Sequence, residues 1–192
     1  MTTQQGAARA DGQINGVNVD KLQGTIDAIK AAPVLAQFTF RATNRWMKGG
    51  HNRTTIQGFW GVGAYNDRDS FVIDSATPDL MLGGNEAPNP FEYVLHAFVG
   101  CLTTTFVYHA SLHGVRVDAV ESRVEGDLDL HGFLGLDESA RKGFHKVRAT
   151  FRVKADCLEE RLRELMQIAQ RRSPVFEMVT SVAPLSVTCE AM

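Results

Sequence analysis

Asn89-Pro90-Phe91-Glu92-Tyr93-Val94-Leu95-His96-Ala97-Phe98-Val99-Gly100-Cys101-Leu102-Thr103-Thr104-Thr105-Phe106 decides how this chain is read. From Tyr93 to Tyr108 it holds no Asp, Glu, Lys or Arg. The run is shorter than the roughly 20 apolar residues of a membrane span and is broken by His, Gly and hydroxyl side chains, so it reads as a buried helix. Cys101 sits in its middle as a lone thiol, either inert packing or a nucleophile held in a dry pocket. On a helix Val94, Phe98, Thr105 and Tyr108 share its face, an apolar wall with hydroxyls. Burial alone raises a thiol pKa. The helix offers only His96 and His109 as cations, neither at an offset that places imidazole over the sulfur. Any activating charge therefore comes from elsewhere in the fold.

On either side of this helix the pattern is of strands. Residues 1–16 read as a polar tail. Asn18-Val19-Asp20 leads into a short amphipathic helix (Leu22, Ile26, Ile29) that ends before Pro33. Val34–Arg45 and Arg53–Val62 alternate as two strands of a hairpin around Lys48-Gly49-Gly50-His51-Asn52, and Phe71-Val72-Ile73 is a short third strand. After Gly114, Val120–Leu130 carries Glu121, Arg123, Glu125, Asp127 and Asp129 on one face, and His145–Lys154 carries Lys146, Arg148, Arg152 and Lys154. An acidic strand and a basic strand should pair antiparallel with opposite charges across a solvated face, which makes the basic stripe a sheet surface and not a nucleic-acid patch. Asp156 and Glu159 suggest a capping box for a helix with Leu158, Leu162, Leu165, Met166 and Ala169 on its apolar stripe, closed by Arg171-Arg172. Ser173-Pro174 starts a further helical turn, and Pro184–Glu190 alternates as a last strand with Leu185, Val187 and Cys189 inward. The order specifies an α+β fold, long central helices packed on a strongly antiparallel sheet, with residues 1–33 as a tail and helix and 34–192 as the domain.

The bulk numbers narrow the function classes. A chain of 192 residues with 44% hydrophobic content suits one domain with an N-terminal extension. Net charge −2 implies neither nucleic acid nor a membrane surface as partner. Cys101, Cys157 and Cys189 are widely spaced with no CxxC, which supports neither a disulfide scaffold nor structural zinc. No metal or cofactor is called for. Reduced thiols in the cytoplasm fit, and Met1–Asn18 lacks the apolar core of a secretory signal.

Asn89-Pro90-x-Glu92, followed by Gly100-Cys101-Leu102-Thr103-Thr104, resembles the central-helix motif of the OsmC/Ohr family, the osmotically induced and organic hydroperoxide resistance proteins. The order of hairpin, short strand, Cys helix, long antiparallel pair, helix, Ser-Pro-Val turn and final strand is similar to the family's from about residue 34 onward. The resemblance implies an intertwined homodimer with active sites at the subunit interface and a thiol-dependent reduction of organic hydroperoxides. Cys101 matches the peroxidatic Cys, which attacks the O–O bond and becomes a sulfenic acid. Glu92 is the nearest match to the carboxylate that orients an Arg; some members place it one residue earlier, where this chain has Phe91. The Arg lies in or beside the first hairpin turn, where Arg53 is the leading candidate and Arg45 and His51 are rivals. Nine helical residues put Glu92 roughly 13 Å along the axis from its own chain's Cys101 and on the opposite side, so the expected pairing is across the dimer.

The chain also departs from the pattern. Peroxidase members resolve the sulfenic acid with a second Cys in a Cys-Pro-Val turn, and here that position is Ser173-Pro174-Val175. Cys157 and Cys189 read as structural. The sequence thus supports a one-Cys thiol peroxidase that uses an external thiol reductant. The alternative is a non-catalytic protein that holds a hydrophobic small molecule in the dimer-interface pocket. A Cys/His acyl transferase ranks last, because no Cys–His–acid pattern is present.

Overall fold

The structure is a computed structural model, and it describes residues 12–181 and 184–189. The elements run β1 (Gln13–Ile14), β2 (Val17–Asn18), α1 (Val19–Ala31), β3 (Ala42–Lys48), β4 (His51–Ile56), β5 (Phe59–Gly61), β6 (Ala64–Asn66), β7 (Phe71–Ser75), α2 (Pro90–Leu112), β8 (Val117–Asp127), α3 (Leu130–Phe133), β9 (Lys146–Ala155), α4 (Glu159–Arg172) and α5 (Pro174–Thr180). This is the α+β class with antiparallel pairing. The described residues form two compact units, one of 14–17 and 95 onward, the other of 12–13 and 18–94, and α2 begins in the second and continues in the first.

In the first unit Phe98, Leu102, Phe106 and Ala110 recur every four residues along α2 and form its buried stripe, in one core with Val115 and with Leu165 and Ala169 of α4. Val120, Val124, Val147, Phe151 and Val153 lean on this core from β8 and β9. The outer face of that pair bears the expected charges in register, Glu121 opposite Arg152 and Glu125 opposite Arg148. Arg148 also pairs with Asp127, and it reaches Glu125 at 3.4 Å. The strand stops at Asp127, because Asp129 turns the chain by accepting the His131 N–H at 2.9 Å and so capping α3.

Asp156 does not cap α4, which starts at Glu159; its carboxylate instead accepts the Arg116 N–H at 2.7 Å, tying the start of β8 to the end of β9. Ser173 does cap α5, with Pro174 at the first helical position. Residues 184–189 form no strand, and Leu185 and Val187 are exposed at 88% and 85%; an alternating segment needs a ladder partner, and among the described residues none takes it. The last residue of that predicted strand, Glu190, lies outside the described residues.

Residues expected as a tail are partly structured. A tight turn at Asn15-Gly16 joins β1 to β2, with Asn15 at φ 56°, a left-handed conformation that Asn tolerates. The Asn15 amide is seated in the first unit. Its Nδ2 donates to Ser111 Oγ at 3.0 Å and to the Val115 carbonyl at 2.9 Å, and its Oδ1 accepts the Val117 N–H at 2.8 Å.

In the second unit β3, β4 and β7 form an antiparallel sheet in that order. The expected strand from Val34 begins only at Ala42, because Pro33 fixes φ for a 3-10 turn over Pro33–Ala36. The expected strand Arg53–Val62 is two strands. Val62 and Gly63, at φ 53° and 75°, turn the chain into a second hairpin, β5–β6. Ala76 is the one buried hydrophobic side chain of this unit among the described residues, and every residue of β3 is exposed.

Candidate functional site

Cys101 lies on α2 beside the buried stripe, one residue before Leu102, and is half-buried. Its Sγ is 3.1 Å from Ser173 Oγ. Ser173 is 2% exposed, and its Oγ also accepts the Phe176 N–H at 3.2 Å as the N-cap of α5. The chain is brought to this point by the short step from Arg172, the end of α4, into α5, so the residue at the Ser-Pro-Val turn meets the Cys helix. Thr105 Oγ1 donates to the Cys101 carbonyl at 2.8 Å, a back-bond within the helix that does not involve the thiol.

The four residues expected to share the Cys101 face are divided. Phe98 belongs to the buried stripe, Thr105 is half-buried, and Val94 and Tyr108 are exposed at 43% and 47%. Close by in the same unit is a cavity of about 520 Å³, lined by Phe98 and Leu102 of α2, Phe151 and Val153 of β9, Met166 of α4 and Phe176 of α5. The lining is apolar, with Glu159 and Arg163 among its few polar residues; these two bind each other at 2.6 Å.

The candidate cation is held in the second unit. Arg53 on β4 is the register partner of Asp74 on β7, and Nε and Nη2 reach Oδ1 and Oδ2 at 2.8 and 3.1 Å. His51 Nε2 stands 3.3 Å from Asp74 Oδ1, and the Tyr93 hydroxyl donates to the Asp74 carbonyl at 2.6 Å. The Arg53 hydrogen bonds, more than the His51 contact, hold the Asp74 carboxyl below the usual carboxylate range. Arg45 lies opposite Arg53 on β3, exposed, with no ion pair among the described residues. Glu92 is engaged locally: its Oε2 accepts the Asn89 N–H at 2.8 Å while Asn89 Oδ1 accepts the Glu92 N–H at 3.0 Å, a reciprocal capping box at the start of α2.

The structure therefore brings Cys101 together with Ser173, and Arg53 together with Asp74 and His51. Asp74 is the residue that the sequence did not flag. Asp74 directly follows the expected third strand, Phe71-Val72-Ile73, and it is the β4–β7 register that sets it opposite Arg53. Of the other titratable groups, burial first, then the neighbouring His113 charge, pushes His109 below its ordinary value, so it carries little charge near neutral pH. Burial first, then Asp156, pushes the Cys157 thiol up. Among the described residues no group of three or more His, Cys, Asp or Glu could hold a metal ion, and no helix is long and apolar enough to cross a membrane.

The family model described as OsmC-like protein matches residues 83–188, more than half of the chain and all of the Cys101 and Ser173 region. The chain belongs to the OsmC-like family. Solved structures agree on the fold. The OsmC-like protein of Mycoplasma pneumoniae superposes with a TM-score of 0.55 at 12% identity, over 75% of this chain and 89% of that one. An organic hydroperoxide resistance protein OsmC from Legionella pneumophila gives 0.50 at 19% identity, over 75% and 90%. An OsmC-like protein of Vibrio cholerae gives 0.52 at 12% identity, over 73% and 92%. No curated protein matches the chain in sequence. These likenesses, at 12–19% identity, show the OsmC-like fold.

Proposed function

We propose that this OsmC-like protein is a cytoplasmic, thiol-dependent reductant of organic hydroperoxides that works through Cys101 in a one-Cys cycle, as a homodimer and without a cofactor. The observation that carries this reading is the placement of Cys101: half-buried at the flank of an otherwise buried helix stripe, with a hydroxyl donor at its sulfur. An inert packing thiol belongs in the stripe itself, as the fully buried Phe106 does. The Legionella neighbour is named an organic hydroperoxide resistance protein and a predicted redox protein, which is in keeping with this reading.

A second copy of the chain supplies what the second unit lacks. A three-stranded sheet with Ala76 as its one buried hydrophobic side chain among the described residues has too little core to stand alone, and its exposed apolar side chains call for cover. Exposed Val94 and Tyr108, either side of Cys101 on α2, suit the same cover. In this arrangement Arg53, aimed by Asp74, serves the partner's Cys101 by charge and hydrogen bonding, and Glu92 is the rival orienting carboxylate.

Intact-mass analysis after one equivalent of cumene hydroperoxide, with dimedone trapping, tests the reading. Rapid addition at Cys101, absent in Cys101→Ser, is expected; reaction no faster than that of free cysteine would sink it. The apolar cavity supports the second reading, a binding protein for a hydrophobic small molecule. That reading is supported if a fluorescent fatty-acid probe binds equally to wild type and Cys101→Ser while no sulfenylation occurs.

A further inference from the structure

We propose that Ser173 is a catalytic residue of the Cys101 site: its hydroxyl is the fixed hydrogen-bond donor to Sγ, to the thiolate before reaction and to the sulfenic acid after it. The inference rests on the reading of Cys101 as a nucleophile. It assigns a role to a position that the resemblance marks only by the loss of a second thiol.

The argument starts from what a serine hydroxyl has to give, one hydrogen and two lone pairs. One lone pair accepts the Phe176 N–H at 3.2 Å. The amide thereby fixes the rotamer that points Oγ at the sulfur 3.1 Å away, and the single hydrogen is left for Sγ. Toward a thiolate, which has no hydrogen, the donation runs only one way, and a donor to a charged acceptor makes the stronger kind of bond. Ser173 is 2% exposed, so water does not compete for its hydroxyl hydrogen. A thiol in this position would resolve the oxidised sulfur; the hydroxyl of Ser173 holds it.

The step that follows is balanced with one co-reactant, a low-molecular-weight thiol. The Cys101 thiolate attacks the terminal oxygen of ROOH. The S–O bond forms, the O–O bond breaks, and the alkoxide leaves and takes a proton from water, so that sulfur is oxidised by two electrons and the peroxide is reduced to an alcohol. Ser173 cannot form a disulfide, so an external thiol attacks the sulfenic sulfur, releasing water and leaving a mixed disulfide. A second thiol cleaves that disulfide, returning the Cys101 thiol and carrying away the small-molecule disulfide.

The test uses the full-length protein with Ser173→Ala, Ser173→Gly and Ser173→Thr. Gly is nearly as good a helix N-cap as Ser, so Ser173→Gly removes the donor with little loss of the cap. Two rates are read at Cys101 by mass spectrometry at pH 7: sulfenylation by cumene hydroperoxide and alkylation by iodoacetamide. Both should fall about ten- to a hundredfold in the Ala and Gly variants, the usual weight of a hydrogen bond to a charged group, and recover in Ser173→Thr, which keeps the hydroxyl. Wild-type rates in Ser173→Gly would overturn the proposal and leave the peroxidase reading intact. A fall in alkylation in a protein whose wild type ignores hydroperoxide would support Ser173 as the donor while removing the peroxidase reading. If Ser173→Ala fails to fold, Ser173→Gly and Ser173→Thr still decide. A drop in melting temperature with both rates unchanged would reduce Ser173 to a cap.

Discussion

Arg53 and Asp74 stand opposite each other on β4 and β7, and the guanidinium grips the carboxylate twice, Nε to Oδ1 at 2.8 Å and Nη2 to Oδ2 at 3.1 Å. The pairing is set by strand register, so the backbone ladder fixes the direction of the guanidinium. A bidentate pair of this kind fixes direction more than it adds stability, because both groups remain partly solvated.

Asp74→Asn should therefore affect function more than folding. In the proposed reaction it should slow Cys101 sulfenylation several-fold, with Asp74→Glu partly restoring it, while the urea midpoint moves little. The pH dependence has a defined sign. Arg53 holds the Asp74 carboxyl below its usual 3.8, so the pair contributes stability above that pH and loses it as pH falls through the folded-state value. Melting curves of wild type and Asp74→Asn should differ by a small gap above about pH 5, and the gap should close below about pH 4. A gap that widened in acid would remove the ion pair from the explanation.

Asp74 also shows where sequence reading stopped. The charge pattern of β8 and β9 was legible because it lies within each strand, so alternation alone gives an acidic face and a basic face, while the particular pair Glu125 and Arg148 is set by register. The apolar faces of α2 and α4 were legible for the same reason. Arg53 with Asp74 depends on register between segments 21 residues apart, which no local pattern fixes. The Val62-Gly63 turn was missed because a β-branched residue at φ 53° runs against every turn preference. Cys101 stood out by its motif, but its contact with Ser173 across 72 residues is tertiary.

Glu92 separates two roles in one experiment. As the reciprocal partner of Asn89 it stabilises the first turn of α2, and Gln can do the same. As an orienting carboxylate it needs its charge. If Glu92 only caps, Glu92→Gln keeps wild-type sulfenylation, and Asn89→Ala costs about 1 kcal/mol in urea unfolding with the Cys101 rate unchanged. If the Cys101 rate falls in Glu92→Gln with stability intact, Glu92 joins Asp74 as a carboxylate that the cation requires.

The Asn15-Gly16 turn is predicted to be an integral part of the first unit. Asn15 makes three hydrogen bonds to Ser111, Val115 and Val117, and Ser111 itself is 1% exposed. Asn15→Ala removes all three bonds and forces Ala to φ 56°, so the loss should be about 2–3 kcal/mol by urea denaturation. Asn15→Gly tolerates the backbone angle and should lose less. Equal losses would show that the angle is immaterial and the amide carries the whole effect.

Restoring a thiol at position 173 should change the fate of the oxidised sulfur. Ser173 Oγ is already 3.1 Å from Cys101 Sγ, so a modest rotation brings a sulfur at this position within the roughly 2.03–2.05 Å of a disulfide bond. Ser173→Cys treated with one equivalent of cumene hydroperoxide should become lighter by two hydrogens, with a cross-link between Cys101 and the introduced thiol in the peptide map and no dimedone adduct. Wild type under the same conditions should keep its sulfenic acid until a small thiol is added. The change carries a stability cost, because sulfur caps α5 less well than the Ser173 oxygen that accepts the Phe176 N–H. The reduced variant should therefore melt below wild type, and the oxidised one should regain stability from the loop that the cross-link closes. A dimedone adduct that persists in Ser173→Cys would mean that α5 and α2 do not hold these two positions together in solution, and the donor role of Ser173 would fall with it.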